Sequence, residues 1–189
     1  MTKKRARAIT IDRDEVVHET PYTRLVVRHY TDLVGTPRVW EMIGQNPQGL
    51  GSLIAAVTKD HKLVLERSYR IPLRCEVLEL PGGCNDIGGE VPSEVAIREL
   101  REETGYVVTN AELLAKIPND PGSSDQQTYL FLGLGALKKS TPVLGDAELI
   151  ETILVPLDAL FDYLTNSSTP VDPKVWVAYA FLREGGMVE

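Results

Sequence analysis

Between Glu79 and Tyr106 the chain reads ELPGGCNDIGGEVPSEVAIRELREETGY, and no other stretch restricts its folding as tightly. A glycine-rich loop over Gly82–Gly89 leads into a segment that reads as a helix over 92–104. Pro92 suits the first helical turn, where its missing N–H would be unpaired in any case. Gly105 suits the left-handed residue just past the helix end. Between them Ala96, Ile97, Leu100 and Thr104 recur at helical spacing and can face a core. Glu99, Glu102 and Glu103 are spaced i, i+3 and i+4 and share an adjacent arc. At about 1.5 Å rise per residue, the three carboxylates span roughly 6 Å along the axis.

Carboxylates that close repel one another, by a few tenths of a kcal/mol per pair on an isolated helix. Arg98 can pair with Glu102 or Glu94 and offset part of this, but one guanidinium does not neutralise the whole set. Hard oxygen ligands converging on one point are what Mg²⁺ or Mn²⁺ takes, and Mg²⁺ commonly adds substrate phosphates to a few carboxylates. The plain alternative for E-x-x-E-E alone is a solvated acidic face. Its surroundings decide against that.

The stretch resembles the Nudix box of the Nudix hydrolases: a glycine, five residues, a glutamate, seven residues, then R-E-x-x-E-E-x-G and an apolar residue. Glu90, a seven-residue gap and Arg98-Glu99-Leu100-Arg101-Glu102-Glu103-Thr104-Gly105-Tyr106 match the downstream part throughout. Upstream, six residues rather than five separate Gly83 from Glu90, and Cys84 stands where the family glycine would fall. This reads as a one-residue insertion in the loop, with Gly82 and Gly83 still at the turn. The resemblance implies an α/β fold, an α/β/α sandwich around a mixed sheet. It implies a metal site built from Glu99, Glu102 and Glu103, with the Gly82 carbonyl as an additional ligand, and Mg²⁺ or Mn²⁺ as cofactor.

At 189 residues the chain is long enough for one sizeable core. A net charge of −7 argues against nonspecific binding to nucleic acid or an anionic membrane surface. Cys75 and Cys84 make neither a disulfide framework nor a metal pattern, and they read as reduced thiols of a cytoplasmic protein. Met1–Arg7 is basic, but no long apolar run follows, so no signal peptide is expected, and no stretch approaches a membrane span. His18, His29 and His61 have no metal spacing.

RAITIDRDEVVHET, TRLVVRHYTD and RVWEMIGQ read as three strands broken at Pro21, Gly35-Thr36-Pro37 and Asn46-Pro47. Alone they would be a marginal sheet, one that must bury its apolar side on the rest of the chain or on a second copy. The expected division is therefore an N-terminal antiparallel β segment over 1–50 and a main domain over 51–189. Within the latter, SLIAAVTKDHKLVLERSYR reads as a hairpin turning at Lys59–Lys62. AELLAKIP, QQTYLFLGLGAL and LIETILVPL read as strands. LDALFDYLTN and DPKVWVAYAFLREGG read as helices, the last with Asp172 as N-cap, Pro173 at N1 and Val175, Tyr179 and Leu182 on one face.

Beyond the box, nearly the whole chain is similar to the ADP-ribose pyrophosphatase branch, which hydrolyses nucleoside diphosphate sugars. Trp40-Glu41 matches that branch's W-E, Ser68-Tyr69-Arg70-Ile71-Pro72 its Q-Y/F-R-x-P, and Glu79-Leu80-Pro81-Gly82-Gly83 its E-L-P-A-G. Pro121 falls sixteen residues after Gly105, and Gly145-Asp146-Ala147-Glu148-Leu149-Ile150-Glu151 matches a late acidic segment. The likeness implies base stacking on Trp40 beside Glu41, substrate contacts from Arg70 and Pro121, and Glu148 as the base, with Asp146 or Glu151 as substitutes. Catalysis would rest on Glu102, Glu103 and Glu148. On chemistry alone, Trp40 could equally be a core residue, Arg70 could merely anchor Glu79 or Glu76, and Glu148 could be a surface acid. Gln126 stands where the branch commonly carries a glutamate after S-D. The expected activity is hydrolysis of ADP-ribose to AMP and ribose 5-phosphate. GDP-mannose or another sugar nucleotide, or a sensor that binds without cleaving, are the alternatives. The likeness further implies a homodimer through the N-terminal strands.

Overall fold

The computed structural model describes residues 8–45, 49–85 and 87–188. The turn expected at Asn46-Pro47 lies outside the described residues. The chain packs as two compact units, one running up to Leu50 and including Pro118–Gln127, the other formed by Gly51–Ile117 and Thr128–Glu189. The sequence division at residue 50 left 118–127 with the second segment. The structure puts this turn with the first unit, because its backbone joins the last N-terminal strand: Ile43 N–H donates to the Ser123 carbonyl at 2.8 Å.

In the first unit β1 (Thr10–Glu19), β2 (Arg24–Thr31) and β3 (Pro37–Gly44) form an antiparallel sheet in that order. Strand register sets Arg28 opposite Trp40 and Val26 opposite Met42. The period-two alternation of a strand then gathers Ile11, Arg28, Tyr30, Trp40 and Met42 on one face. Every residue of β1 is exposed, Ile11, Val16 and Val17 among them.

The second unit is built on a mixed sheet. β4 (Gly51–Thr58) and β5 (Lys62–Arg70) make the expected hairpin, with His61 in left-handed conformation at the turn. β6 (Cys75–Glu79) pairs with β5, and β7 (Gly82–Cys84) pairs with β4. The start of the segment expected as loop is thus a short strand, with Leu53 opposite Gly82 and Gly51 opposite Cys84. β8 (Tyr106–Val107), β9 (Glu112–Pro118), β10 (Gln127–Lys138) and β11 (Ile150–Pro156) complete the sheet. The order β11-β5-β4-β10-β8 contains one parallel pair, β4 with β10.

Both faces of this sheet are apolar, and alternation sorts them. Ala55, Val57, Leu63, Leu65 and Leu130 pack under α2 (Leu160–Thr165, after a 3₁₀ turn) and α3 (Pro173–Glu184). Ile54, Ala56, Val64 and Phe131 pack with Ala96 and Leu100 of the carboxylate helix. The result is the α/β/α sandwich. Asp172 caps α3 by accepting the Lys174 N–H at 2.7 Å, and Val175, Tyr179 and Leu182 are buried as their spacing implied. No helix among the described residues is long and apolar enough to cross a membrane.

The carboxylate helix starts as α1 (Pro92–Glu99) and winds its last turn, Leu100–Thr104, as a π-helix. Inside this turn the Thr104 hydroxyl bonds to the Leu100 carbonyl, a side-chain competitor for an i−4 acceptor. Gly105 ends it at φ 71°. A single wide turn is common at functional sites, and here it changes the phase of Glu102 and Glu103 relative to Glu99.

Gly82 sits at φ +148°, and a Cβ there would stand 2.1 Å from the Ser52 carbonyl oxygen. Gly88 has no atom within 4 Å of such a position. Gly82→Ala is expected to cost roughly 2–4 kcal/mol in urea unfolding, from strain and overpacking together. Gly88→Ala is expected to stay within about 0.5 kcal/mol of wild type.

Candidate active site

The acid cluster of the second unit begins with a contact between loop and helix. The Gly82 N–H donates to Glu103 Oε2 at 2.7 Å. A Cβ on Gly83 would lie 2.7 Å from the Glu99 carboxyl, so a side chain there would make that carboxyl shift. Arg98 binds three carboxylates at once: Glu90 at 3.1 Å, Glu99 at 2.9 Å and Glu102 at 3.0 Å. The sequence pairing with Glu102 is therefore present. Glu94 instead takes the Val91 N–H at the helix start.

Two further acids join the cluster from the sheet. Glu66 of β5 is 0% exposed, and Glu79 lies opposite it on β6. The Glu66 and Glu103 side chains perturb one another. Neither Glu66 oxygen, however, has a hydrogen-bond partner in place. The geometry is thus an apposition of two carboxyls, which a shared proton or a cation could bridge. Burial pushes the Glu66 carboxyl up to about 8, and the Glu79 charge adds to this. Burial pushes Glu103 up to about 10 with the Glu66 charge behind it, against the opposing pull of the Gly82 N–H.

Arg70 was a candidate for substrate contact. In the structure its Nε binds Glu79 at 2.5 Å, the contact that the anchoring alternative expects, and the side chain stays 47% exposed. Glu148 is exposed on a turn where its carboxylate accepts the Gly145 N–H at 2.6 Å. Its loop is tied to the carboxylate helix by the Val143 N–H, which donates to the Glu102 carbonyl at 2.7 Å. Glu151 pairs with Arg67 at 2.8 Å, and Asp146 lies in the exposed turn.

The first unit holds a cleft of about 270 Å³ lined by Trp40 and Pro121 together with Arg28, Tyr30, Met42 and Asp125. Trp40 is 53% exposed, so it is not a core tryptophan, and its Nε1 donates to the Gly122 carbonyl at 3.1 Å. Arg28 is fixed in this wall by a two-pronged contact with Asp14, both distances 2.8 Å. Glu41 falls between Trp40 and Met42 on the strand and so belongs to the opposite face, away from the cleft. Gln126 donates its amide to the Gly44 carbonyl at 3.1 Å, a bond that a carboxylate could not make.

Among the sequence candidates, Gly82, Glu99, Glu102 and Glu103 are thus gathered by one loop and one helix, and Trp40 and Pro121 by one cleft. Glu66 escaped the sequence reading. Its signal was parity: Leu63-Val64-Leu65-Glu66 carries an acid at a position whose alternation leads inward.

The donor set suits a divalent cation. It consists of hard oxygens, it includes a buried carboxyl with both oxygens unfilled, and Arg70 and Arg98 are already engaged by acids. Among the described residues no three acid, histidine or cysteine side chains close on one point. Arg98 holds Glu99 and Glu102 on its own guanidinium instead. The raised carboxyls fix the sign of a pH effect: their protons are held more tightly in the folded state, so stability is lost as pH rises. In EDTA the melting temperature is expected to fall between about pH 5 and pH 8, the interval over which Glu66 ionises in the unfolded but not the folded chain. Asp14 and Asp60, held below the usual range by hydrogen bonds from Arg28 and Lys62, change their contribution only at more acidic pH. A melting temperature that is flat or rising across the interval would contradict the burial of these acids.

Residues 48–179 match the NUDIX domain. The methanol dehydrogenase activator of Bacillus methanolicus is 32% identical over 131 residues, covering 69% of this chain and 70% of that protein. The ADP-ribose pyrophosphatase of Bacillus subtilis (strain 168) is 32% identical over 133 residues, covering 69% and 70%. A crystal structure of an ADP compounds hydrolase aligns at TM-score 0.74 and 22% identity over 97% of this chain and 98% of that one, a likeness of fold. The matched span takes in the glycine loop, the whole carboxylate helix and most of the chain, which belongs to the Nudix family.

Proposed function

We propose that this protein hydrolyses the diphosphate of a nucleoside diphosphate sugar, with ADP-ribose as substrate and AMP and ribose 5-phosphate as products. The observation that carries this reading is the Gly82–Glu103 contact, which brings the glycine loop and the carboxylate helix together around buried acids. The name of the Bacillus subtilis relative, an ADP-ribose pyrophosphatase, points to the same substrate class.

Glu99, Glu102 and Glu103, with the Gly82 carbonyl, would hold the divalent cation, Mg²⁺ or Mn²⁺. When bound, such an ion supplies charge neutralisation for the diphosphate oxygens and lowers the pKa of water. Glu148 takes the proton of the attacking water as its oxygen adds to one phosphorus and the bridging P–O bond breaks. For this the bond from Gly145 to Glu148 must open. Trp40 gives the base a stacking face in a cleft of about 270 Å³ that Pro121 also lines. The 67–70 region acts through Arg70, which fixes Glu79 beside the acid cluster. Exposed Ile11, Val16 and Val17 on the edge strand β1 support a homodimer through the N-terminal strands. Cys75 and Cys84 form no disulfide among the described residues, which fits a reducing, cytoplasmic setting.

Steady-state kinetics on ADP-ribose test these roles separately. Glu103→Gln is expected to abolish most turnover with the fold retained. Glu148→Gln should lower kcat by about 10²–10⁴-fold with little change in KM. Trp40→Ala should raise KM by roughly 5- to 150-fold, the equivalent of one lost stacking contact, and leave kcat near wild type. Near-normal kcat in Glu103→Gln would place the chemistry elsewhere.

A further inference from the structure

Strand β5 delivers an acid into a place where the fold does not call for one. Leu63 and Leu65 enter the core beneath α2 and α3, and Val64 enters the core beneath α1. Glu66 shares the parity of Val64, so its carboxylate goes to the side of the sheet that the carboxylate helix covers. It is completely buried there, and both of its oxygens lack a partner. The groups that act on it are Glu103, Glu79 and Glu99, all acids, and Arg70, which Glu79 already binds. A buried carboxyl with unfilled oxygens is rare enough in folded proteins to demand a partner, and among acids that partner is either a proton shared with Glu103 or a cation that displaces it.

We propose that Glu66 is a further protein ligand for a divalent cation, shared with Glu103. The proposal rests on reading the acid cluster as the cation site, and it goes beyond that reading by adding a ligand from the central sheet, outside the box helix. Two carboxylates suffice for Mg²⁺ or Mn²⁺ when water and phosphate oxygens fill the other positions. The arrangement also divides the labour. Arg98 holds Glu99 and Glu102, while Glu103 is turned toward the Gly82 N–H and toward Glu66.

The test is Mn²⁺ binding to the full-length protein without substrate, followed by the electron paramagnetic resonance signal of free Mn²⁺. Wild type, Glu66→Gln and the exposed-site control Glu112→Gln are compared. Glu66→Gln is expected to weaken Mn²⁺ affinity by about tenfold or more and to shrink the Mn²⁺-induced rise in melting temperature, while the control behaves as wild type. Bound Mn²⁺ in Glu66→Gln should also gain a water, seen as a larger proton relaxation enhancement. A residue that only positions Glu103 would leave that hydration unchanged. Should Glu66→Gln fail to fold, Glu66→Asp keeps the charge, shortens the reach and carries the same expectation. Unchanged affinity or unchanged hydration in a folded variant overturns the proposal. Because no readout involves turnover, the ligand assignment can fail while ADP-ribose hydrolysis stands, and the reverse.

Discussion

The hydrogen bond from the Gly82 N–H to Glu103 is the contact on which the catalytic half of the molecule depends. It joins a strand that a side chain at Gly82 would push off β4 to the wide last turn of the carboxylate helix, through the Glu103 carboxyl. The two sides need each other. Without the N–H the Glu103 carboxyl is a buried acid facing another acid, and without the carboxyl the strand end at Gly82 leaves a donor unfilled in the interior. Such paired dependence is costly to lose, because removing one member strands the other without solvent.

Charge is arranged around that contact in two tiers. Arg98 gathers Glu90, Glu99 and Glu102 at the helix surface, and Arg70 holds Glu79 at the sheet. Glu66 and Glu103 lie between these tiers without a cation of their own. Burial and the neighbouring acid charges together raise the proton affinity of both groups. On the proposed reading, a divalent ion would supply the positive charge that these two buried acids lack.

Much of this was legible in the sequence. Pro92 and Gly105 bounded the helix, the spacing of Ala96 and Leu100 gave its buried side, and Asp172 announced the last helix. Trp40 and Pro121, eighty-odd residues apart (about 81), were joined only by resemblance, and the structure brings them to one cleft. What the sequence hid has physical reasons. The strand at Gly82–Cys84 is all small residues, so neither propensity nor alternation could reveal it. The π turn depends on the local competition between the Thr104 hydroxyl and the backbone, which spacing does not record. Arg70 could serve either an acid or a phosphate, and only the fold shows Glu79 across from Glu66 and within its reach. Glu41 came with Trp40 through the resemblance to the branch's W-E, and in the structure neighbouring positions on the strand send the two to opposite faces.

The most direct test of the central claim is turnover of ADP-ribose by the wild-type protein with Mg²⁺ or Mn²⁺, measured beside ADP-glucose, UDP-glucose, GDP-mannose and ATP, with and without EDTA. The account predicts preferred cleavage of ADP-ribose to AMP and ribose 5-phosphate, lost on chelation. Preference for another sugar nucleotide would contradict the substrate and leave the acid cluster's chemistry intact. Tight ADP-ribose binding in calorimetry with no cleavage of any of the five would contradict the hydrolase itself.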